Sequence, residues 1–152
     1  AYSIGASKHY TIDAKQEFVD NYIFSAIKSN ALYQNKYPLA TALGRPLIAY
    51  KLIEIANQED TEIFSHGCTG KGNDQARFDV TLRSVMHNAK IIAPVRDENM
   101  SRDEEIQYAQ EMNISIEKKS QYSIDENLWG RSIEGGILEN SFKEPPKDIY
   151  KN

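Results

Sequence analysis

A glycine-rich stretch limits what this chain can fold into. Residues 66–74 read HGCTGKGND and hold three glycines within six residues. So many glycines favour a bent, permissive backbone and disfavour both a strand and a helix interior. The stretch follows a short apolar run at residues 62–65, which predicts a strand, and precedes apolar residues at helical spacing. The sequence therefore predicts a strand, a loop and a helix in that order.

The rest of the chain repeats this alternation. A helical face with i, i+4 spacing follows Asp13 and Gln16, which form a plausible capping box. Ser101 and Glu104 form a clearer one. Other strands are predicted at residues 9–12 and 90–94, and a second helix is predicted to begin near Pro46, because proline is tolerated at a first helical position. Alternating strands and helices predict an α/β fold with a parallel sheet.

Length and charge narrow the class of protein. The 152 residues suit one domain and the start of a second, and the net charge of −4 argues against a strongly basic nucleic-acid binder. No apolar run approaches the ~20 residues that span a bilayer. A single cysteine, Cys68, suits a reducing compartment, and we expect no secretion signal. The polar residues 117–121 suggest a boundary, which gives predicted domains 1–117 and 118–152.

The loop has the chemistry of an anion site. Backbone N–H groups at a helix N-terminus attract phosphates and carboxylates, and ligands of open α/β sheets bind at the carboxyl ends of strands. It is not a Walker A loop, because Ser65 and Gly72 stand where that pattern needs glycine and Ser/Thr. Arg77 could clamp a carboxylate or remain solvated. Asp74 could cap the helix or receive an ammonium group.

Other polar residues leave alternatives open. His66 and Cys68 do not make a zinc site, because no second ligand cluster exists, so Cys68 is interpreted as a packing residue. Tyr37, Thr41 and Arg45 could contact a small polar ligand or serve loop packing. By themselves, Ser123 and Ser132 would be interpreted as caps.

Three segments together resemble one family. Residues 67–78 read GCTGKGNDQARF and meet every fixed position of the signature G-x-T-x-K-G-N-D-x-x-R-F of argininosuccinate synthases. Residues 37–46, YPLATALGRP, and residues 122–138, YSIDENLWGRSIEGGIL, are further close matches in the right order. The resemblance covers essentially the whole chain.

The resemblance implies a fold and an activity. The fold would be a Rossmann-like nucleotide-binding domain of the ATP pyrophosphatase (adenine nucleotide alpha hydrolase-like) type, followed by the start of an α+β synthetase domain. The activity would be that of a ligase in arginine biosynthesis. It joins citrulline to aspartate, converts ATP, supplied as Mg-ATP, to AMP and pyrophosphate, and passes through a citrullyl-adenylate. A cytoplasmic homotetramer is implied, with no metal site of its own and no nucleic-acid or membrane partner.

The family motif assigns roles by position. Gly67 matches an ATP contact. The resemblance implies aspartate binding by Thr69, Asn73 and Asp74. It implies citrulline binding by Tyr37, Asn73, Arg77, Ser123 and Ser132. Lys71 belongs to the signature, and our hypothesis is that it offsets phosphate charge. An unchanged ATP affinity in Lys71→Met would exclude that role. No catalytic residue is assigned.

The chain also departs from the family pattern. Residues 40–42 read Ala-Thr-Ala where Gly-Thr-Ser or Gly-Thr-Ala is usual, so a serine contact at position 42 is not expected. Ala1, Tyr2 and Ser3 begin the family's first signature, A-[FY]-S-G-G-x-D-T-S, but Ile4 replaces its glycine. Either two pieces separated by a further stretch are joined there, which is the hypothesis we favour, or the protein lacks the pyrophosphate loop. We also expect that the chain stops early in the synthetase domain. Residues 1–152 alone would then be inactive.

Two other interpretations stay open. One is a degenerate, non-catalytic α/β module that binds amino acids. The other is an amide-forming or thiolating ATP pyrophosphatase. Those enzymes share the first signature but lack the HGCTGKGND segment, so the sequence argues against them.

Overall fold

The computed structural model describes residues 1–115 and 122–150. The helices are α1 (Lys15–Glu17), α2 (Phe24–Lys28), α3 (Ala40–Gln58), α4 (Asn73–Val85), α5 (Pro94–Asp97) and α6 (Arg102–Glu111). A π-helical segment, Phe18–Ile23, joins α1 to α2. The strands are β1 (Ile63–Ser65), β2 (Lys90–Ile92), β3 (Ser123–Asn127) and β4 (Gly130–Glu134). Single 3₁₀ turns lie at Tyr2–Ile4, Gly136–Glu139 and Lys147–Ile149.

A β–α–β unit places the glycine-rich loop. β1 and β2 are parallel, with Phe64 opposite Ile91, and α4 is the crossover between them. The pairing continues past β1, where the His66 amide donates to the Ile92 carbonyl at 3.2 Å. Parallel strands need such a crossover. The predicted parallel α/β arrangement is thus confirmed for these elements, and the loop starts at the carboxyl end of β1.

Two apolar clusters hold the helices in place. The first lies between α3, α4 and the parallel strands, and its buried members are Ala49, Ile53, Ala56, Phe64, Phe78, Leu82 and Ala89. The second is smaller and joins the π-helical segment to α3 through Phe18, Ile23 and Leu47. Because α3 contributes to both clusters, its position relative to α4 is fixed by burial of apolar surface.

The β3–β4 hairpin rests on the start of α3. Its strands are antiparallel, and Asp125 lies opposite Ser132. The Trp129 indole N–H donates to the Pro38 carbonyl at 2.6 Å, and the Asn127 amide donates to the Ala40 carbonyl at 2.8 Å. These contacts bring the hairpin beside the glycine-rich loop.

Two predictions near the N-terminus are wrong. Residues 9–12 form no strand, and the following helix is capped by Ala14 without a side-chain hydrogen bond. The Asp13 carboxylate accepts instead from the backbone N–H of Lys15 and pairs with its ammonium group at 2.7 Å. The Asp13 carboxylate thus pairs with Lys15 and does not form the expected capping box with Gln16.

The predicted start of α3 is also wrong. The helix begins at Ala40, and Pro46 lies in its interior. Pro46 has no N–H for the carbonyl four residues earlier, which is the usual cost of an internal proline. Two hydrogen bonds from outside the helix support its first turn: the Thr41 amide donates to the hydroxyl of nearby Tyr37 at 3.2 Å, and the Asn127 amide, far along the chain, donates to the Ala40 carbonyl.

Other predictions have different outcomes. The capping box of Ser101 and Glu104 is confirmed, with both reciprocal hydrogen bonds present. The boundary at residues 117–121 lies outside the described residues, so the domains 1–117 and 118–152 stay predictions. Across residues 1–115 and 122–150, no helix combines the length and apolar content that crossing a bilayer requires.

Candidate functional site

The loop after β1 leads directly into the first turn of α4. Gly72 is the N-cap, with extended backbone at φ −91° and ψ 163°, and it brings no side-chain acceptor. Asn73 and Asp74 therefore lie at the end of α4 where unpaired N–H groups give a partial positive charge. This is the location that the sequence predicts for an anion site.

The loop glycines do not adopt a left-handed backbone. In the described part of the chain, the glycines with positive φ are Gly5, Gly135 and Gly136, and none of them lies in the loop. At Gly67, a Cβ would meet no atom within 4 Å. The space beside the backbone at Gly67 is thus open to a ligand.

A cavity of about 480 Å³ lies at the N-terminus of α4. We call it the candidate cavity, and its volume falls within the range of roughly 300–1,000 Å³ that small-molecule sites occupy. Six of the eight residues that the family motif singles out line it: Tyr37, Thr69, Asn73, Asp74, Arg77 and Ser132. They come from three separate segments of sequence, which the fold brings together.

Two motif residues do not line the candidate cavity. Gly67 is exposed at the start of the loop. Ser123 is exposed at the first position of β3, opposite Glu134 in the hairpin. Cross-strand partners share a face of a sheet, so Ser123 lies on the same face as Asp125 and Ser132 but at its far end.

The Asp74 carboxylate is paired with two arginines. Its Oδ1 accepts from the guanidinium of Arg77 at 2.8 Å, and its Oδ2 accepts from Arg45 Nε at 2.8 Å. Asp74 is thus neither a helix cap nor an isolated carboxylate. Arg77 is not simply solvated, because one of its nitrogens already binds a carboxylate. Charge-assisted bonds of this kind are stronger than neutral ones.

Arg45 connects the start of α4 to the hairpin. The sequence left the role of Arg45 open between ligand contact and loop packing. Besides Asp74, its guanidinium reaches Asp125 Oδ1 on β3 at 3.4 Å. Arg45 borders a neighbouring cavity of about 910 Å³, which none of the eight motif residues lines, while Thr41 and Asp125 border both. Arg45 is therefore not among the residues that line the candidate cavity, but it pairs with Asp74 and Asp125, which do line it.

Sequence reasoning missed two acidic residues of the site. Asp125 and Glu134 both line the candidate cavity, from opposite strands of the hairpin. A two-residue turn at Leu128 and Trp129 sets the register that puts Asp125 opposite Ser132. Recognising this turn would have revealed the pairing, since antiparallel register follows from turn length.

Cys68 lines the candidate cavity but has the character of a packing residue. Its side chain packs against the main core cluster. Burial raises the pKa of the Cys68 thiol, and the nearby Asp74 carboxylate raises it further. A thiol in this state is a poor nucleophile. No group of three His, Cys, Asp or Glu residues that could hold a metal ion occurs among residues 1–115 and 122–150.

A parallel β–α–β unit with a polar cavity at the strand ends defines an α/β protein of the Rossmann-like class. Comparison with protein families agrees. Residues 1–115 match the family described as "Arginosuccinate synthase N-terminal HUP domain", and residues 122–152 match the one described as "Arginosuccinate synthase C-terminal domain". The chain belongs to the argininosuccinate synthase family. The Rossmann-like α/β class is thereby confirmed, whereas the ATP pyrophosphatase type and the second-domain assignment stay predictions.

Individual relatives are similar over nearly the whole chain. The argininosuccinate synthase of Dictyoglomus thermophilum is 59% identical over 152 residues, covering 99% of this chain and 38% of that protein. That of Methanocaldococcus jannaschii is 60% identical over 151 residues, covering 99% and 38%. That of Pyrococcus furiosus is 55% identical over 151 residues, covering 99% and 37%. The chain thus spans less than two-fifths of the length of these relatives.

Proposed function

We propose that this chain is part of a carbon–nitrogen ligase that condenses citrulline with aspartate at the expense of ATP. The observation that carries the proposal is the candidate cavity, in which six motif residues from three segments surround one space. Its walls offer cationic, anionic and hydroxyl groups, which suit zwitterionic amino acids. The relatives named above support the same chemistry through their family.

In the proposed reaction, the ureido oxygen of citrulline attacks the α-phosphorus of ATP. An O–P bond forms, the bond to the β-phosphate breaks, and pyrophosphate leaves. The amine of aspartate then attacks the ureido carbon of the citrullyl-adenylate, AMP leaves with the oxygen, and the amine loses a proton. The site must therefore align two amino acids beside a nucleotide and exclude water from the adenylate.

The residues divide into anion and cation partners. Thr69 and Asn73, beside the positive end of α4, suit the carboxylates of aspartate. Asp74 suits its ammonium group, and the two arginines keep the carboxylate in position before substrate arrives. Arg77, Tyr37 and Ser132 suit citrulline, with Ser123 at the rim. Gly67 suits ATP because the space where its Cβ would be is open.

The assay is pyrophosphate release by the complete protein as it is expressed, with each substrate omitted in turn. The proposal expects release that needs ATP and citrulline, and argininosuccinate formation that also needs aspartate. Binding of the amino acids without any turnover would identify a non-catalytic module instead. Turnover with glutamine or a tRNA in place of citrulline would assign another ATP pyrophosphatase. We also infer a cytoplasmic homotetramer, which light scattering and fractionation would test.

A further inference from the structure

His66 makes a set of contacts that the proposed reaction does not use. Its side chain is only 9% exposed and lies between the end of β1 and α4. Nδ1 is 3.2 Å from the backbone nitrogen of Cys68, and Nε2 is 3.1 Å from Asp79 Oδ1. The ring stacks on Phe78, with 5.8 Å between ring centroids. Both ring nitrogens and one ring face are therefore engaged by protein groups.

Asp79 is itself fixed from the other side. Its Oδ2 accepts from the guanidinium of Arg96 at 2.8 Å, and Arg96 Nε donates to Asp97 Oδ1 at 2.9 Å. Asp97 in turn accepts from the backbone N–H of Ala93 at 3.2 Å. The chain of bonds thus runs from the loop through α4 to the segment that follows β2.

The geometry determines which nitrogen of His66 carries the proton. A backbone N–H can only donate, so Nδ1 must present its lone pair to Cys68. In the neutral ring the proton then lies on Nε2, where it is donated to the Asp79 carboxylate. The bond to Asp79 therefore favours the tautomer in which Nδ1 can accept from the Cys68 N–H. In histidines generally, the hydrogen bond of one ring nitrogen sets the protonation of the other.

We propose that His66 is a positioning residue, whose ring anchors the Cys68 amide and so sets the course of the loop into the candidate cavity. Cys68 lines that cavity, and the next residue, Thr69, is a proposed contact of aspartate. His66 is not among the residues that line the cavity, so it acts through Cys68. That aspartate is the affected ligand rests on the proposed function; the anchoring of the loop does not.

Substitutions can separate the two nitrogens of the ring. The side-chain oxygen of Asn can occupy the place of Nδ1 and keep the acceptor for Cys68, whereas the longer amide of Gln reaches the place of Nε2. His66→Ala removes both. We expect His66→Gln and His66→Ala to raise the KM for aspartate about tenfold, the size of effect that follows from losing one hydrogen bond to a partly buried amide. His66→Asn should stay within about threefold of the parent.

Amide hydrogen exchange of the complete protein gives a readout that does not need catalysis. The Cys68 amide should be protected in the parent and in His66→Asn, and should exchange faster in His66→Gln and His66→Ala. Equal protection in all four proteins would overturn the anchor. If exchange follows the expected order but the parent shows no aspartate-dependent turnover, the proposed function fails and the anchor stands. If exchange follows the order but all three variants keep the parent KM, the link to the substrate site is overturned.

Discussion

Arg45 and Asp74 form an ion pair of 2.8 Å between α3 and the first turn of α4. Arg77 pairs with the other oxygen of the same carboxylate at 2.8 Å. The Asp74 side chain is therefore held from two sides, and its two arginines come from helices that share the main core cluster. The position of the proposed ammonium partner is thus set by the packing of α3 on α4.

Replacing Arg45 should weaken catalysis without unfolding the protein. With Arg45→Ala, Asp74 and Asp125 lose a shared cation, and we expect kcat/KM for aspartate to fall about 5- to 10-fold. The loss is modest because the side chains of Arg45, Asp74 and Asp125 are 27%, 28% and 43% exposed. Lys51→Ala is the matched control, since it removes a cation on the same helix that pairs with Glu17 and Glu54. Equal kinetics for the two variants would contradict the role of Arg45.

Arg77→Ala should affect citrulline most. Its guanidinium borders the candidate cavity, so we expect the KM for citrulline to rise at least about tenfold while the KM for ATP changes less than about twofold. Arg83→Ala serves as the control, because Arg83 is an exposed arginine in the last turn of the same helix. Steady-state kinetics with each substrate varied in turn would check this. A rise confined to ATP would assign Arg77 to the nucleotide instead.

Leu82→Ala should destabilise the fold. Leu82 is only 1% exposed in the cluster between α3, α4 and the parallel strands. Truncating such a side chain leaves a cavity and costs about 2–5 kcal/mol. Val80→Ala on the same helix, where the residue is 67% exposed, should cost less than about 1 kcal/mol. Urea denaturation of the complete protein measures both, and similar losses would show that the main cluster is loosely packed.

Docking of residues 8–10 on the end of α3 should depend on pH. Hydrogen bonds from Lys8 and Tyr10 lower the pKa of Glu59, and the same contacts raise the pKa values of Lys8 and Tyr10. Because the folded-state pKa of Glu59 lies below its ordinary value near 4.3, the contact is present above that value and is lost as pH falls through the lowered pKa. At the alkaline end it is lost as pH rises through the raised values.

The ring resonances of Tyr10 would report this docking by NMR. In the parent, their chemical shifts should change as pH falls through the lowered pKa of Glu59. In Glu59→Gln, the shifts should stay nearly constant over the same pH range. An acid transition that persists in Glu59→Gln would assign the pH dependence to another group.

Local sequence signals account for much of the fold. The loop, the helix after it and the Ser101 capping box are local patterns, and the structure confirms them. The start of α3 was predicted wrongly because its first turn depends on Tyr37 and on Asn127, which lies far along the chain. Residues 9–12 resemble a strand in sequence, but in the described part of the chain they belong to neither sheet.

The candidate site shows the same division. Motif spacing singled out Asp74 and Arg77 because they stand in one signature. It left Arg45 undecided and missed Asp125, because their meeting depends on how the hairpin packs on α3. The ion pairs of Arg45 join α3, α4 and β3, so they depend on tertiary packing. Residue spacing within a single element cannot predict them.

The hairpin and the first turn of α3 meet closely at Gly130. A Cβ at this position would lie 3.4 Å from both Ala40 Cβ and Pro38 Cγ. An alanine would just touch them, and a bulkier side chain would require a neighbouring group to move. Because Ser132 on β4 lines the candidate cavity, the close packing at Gly130 helps to hold that wall of the cavity, although Gly130 is not among its lining residues.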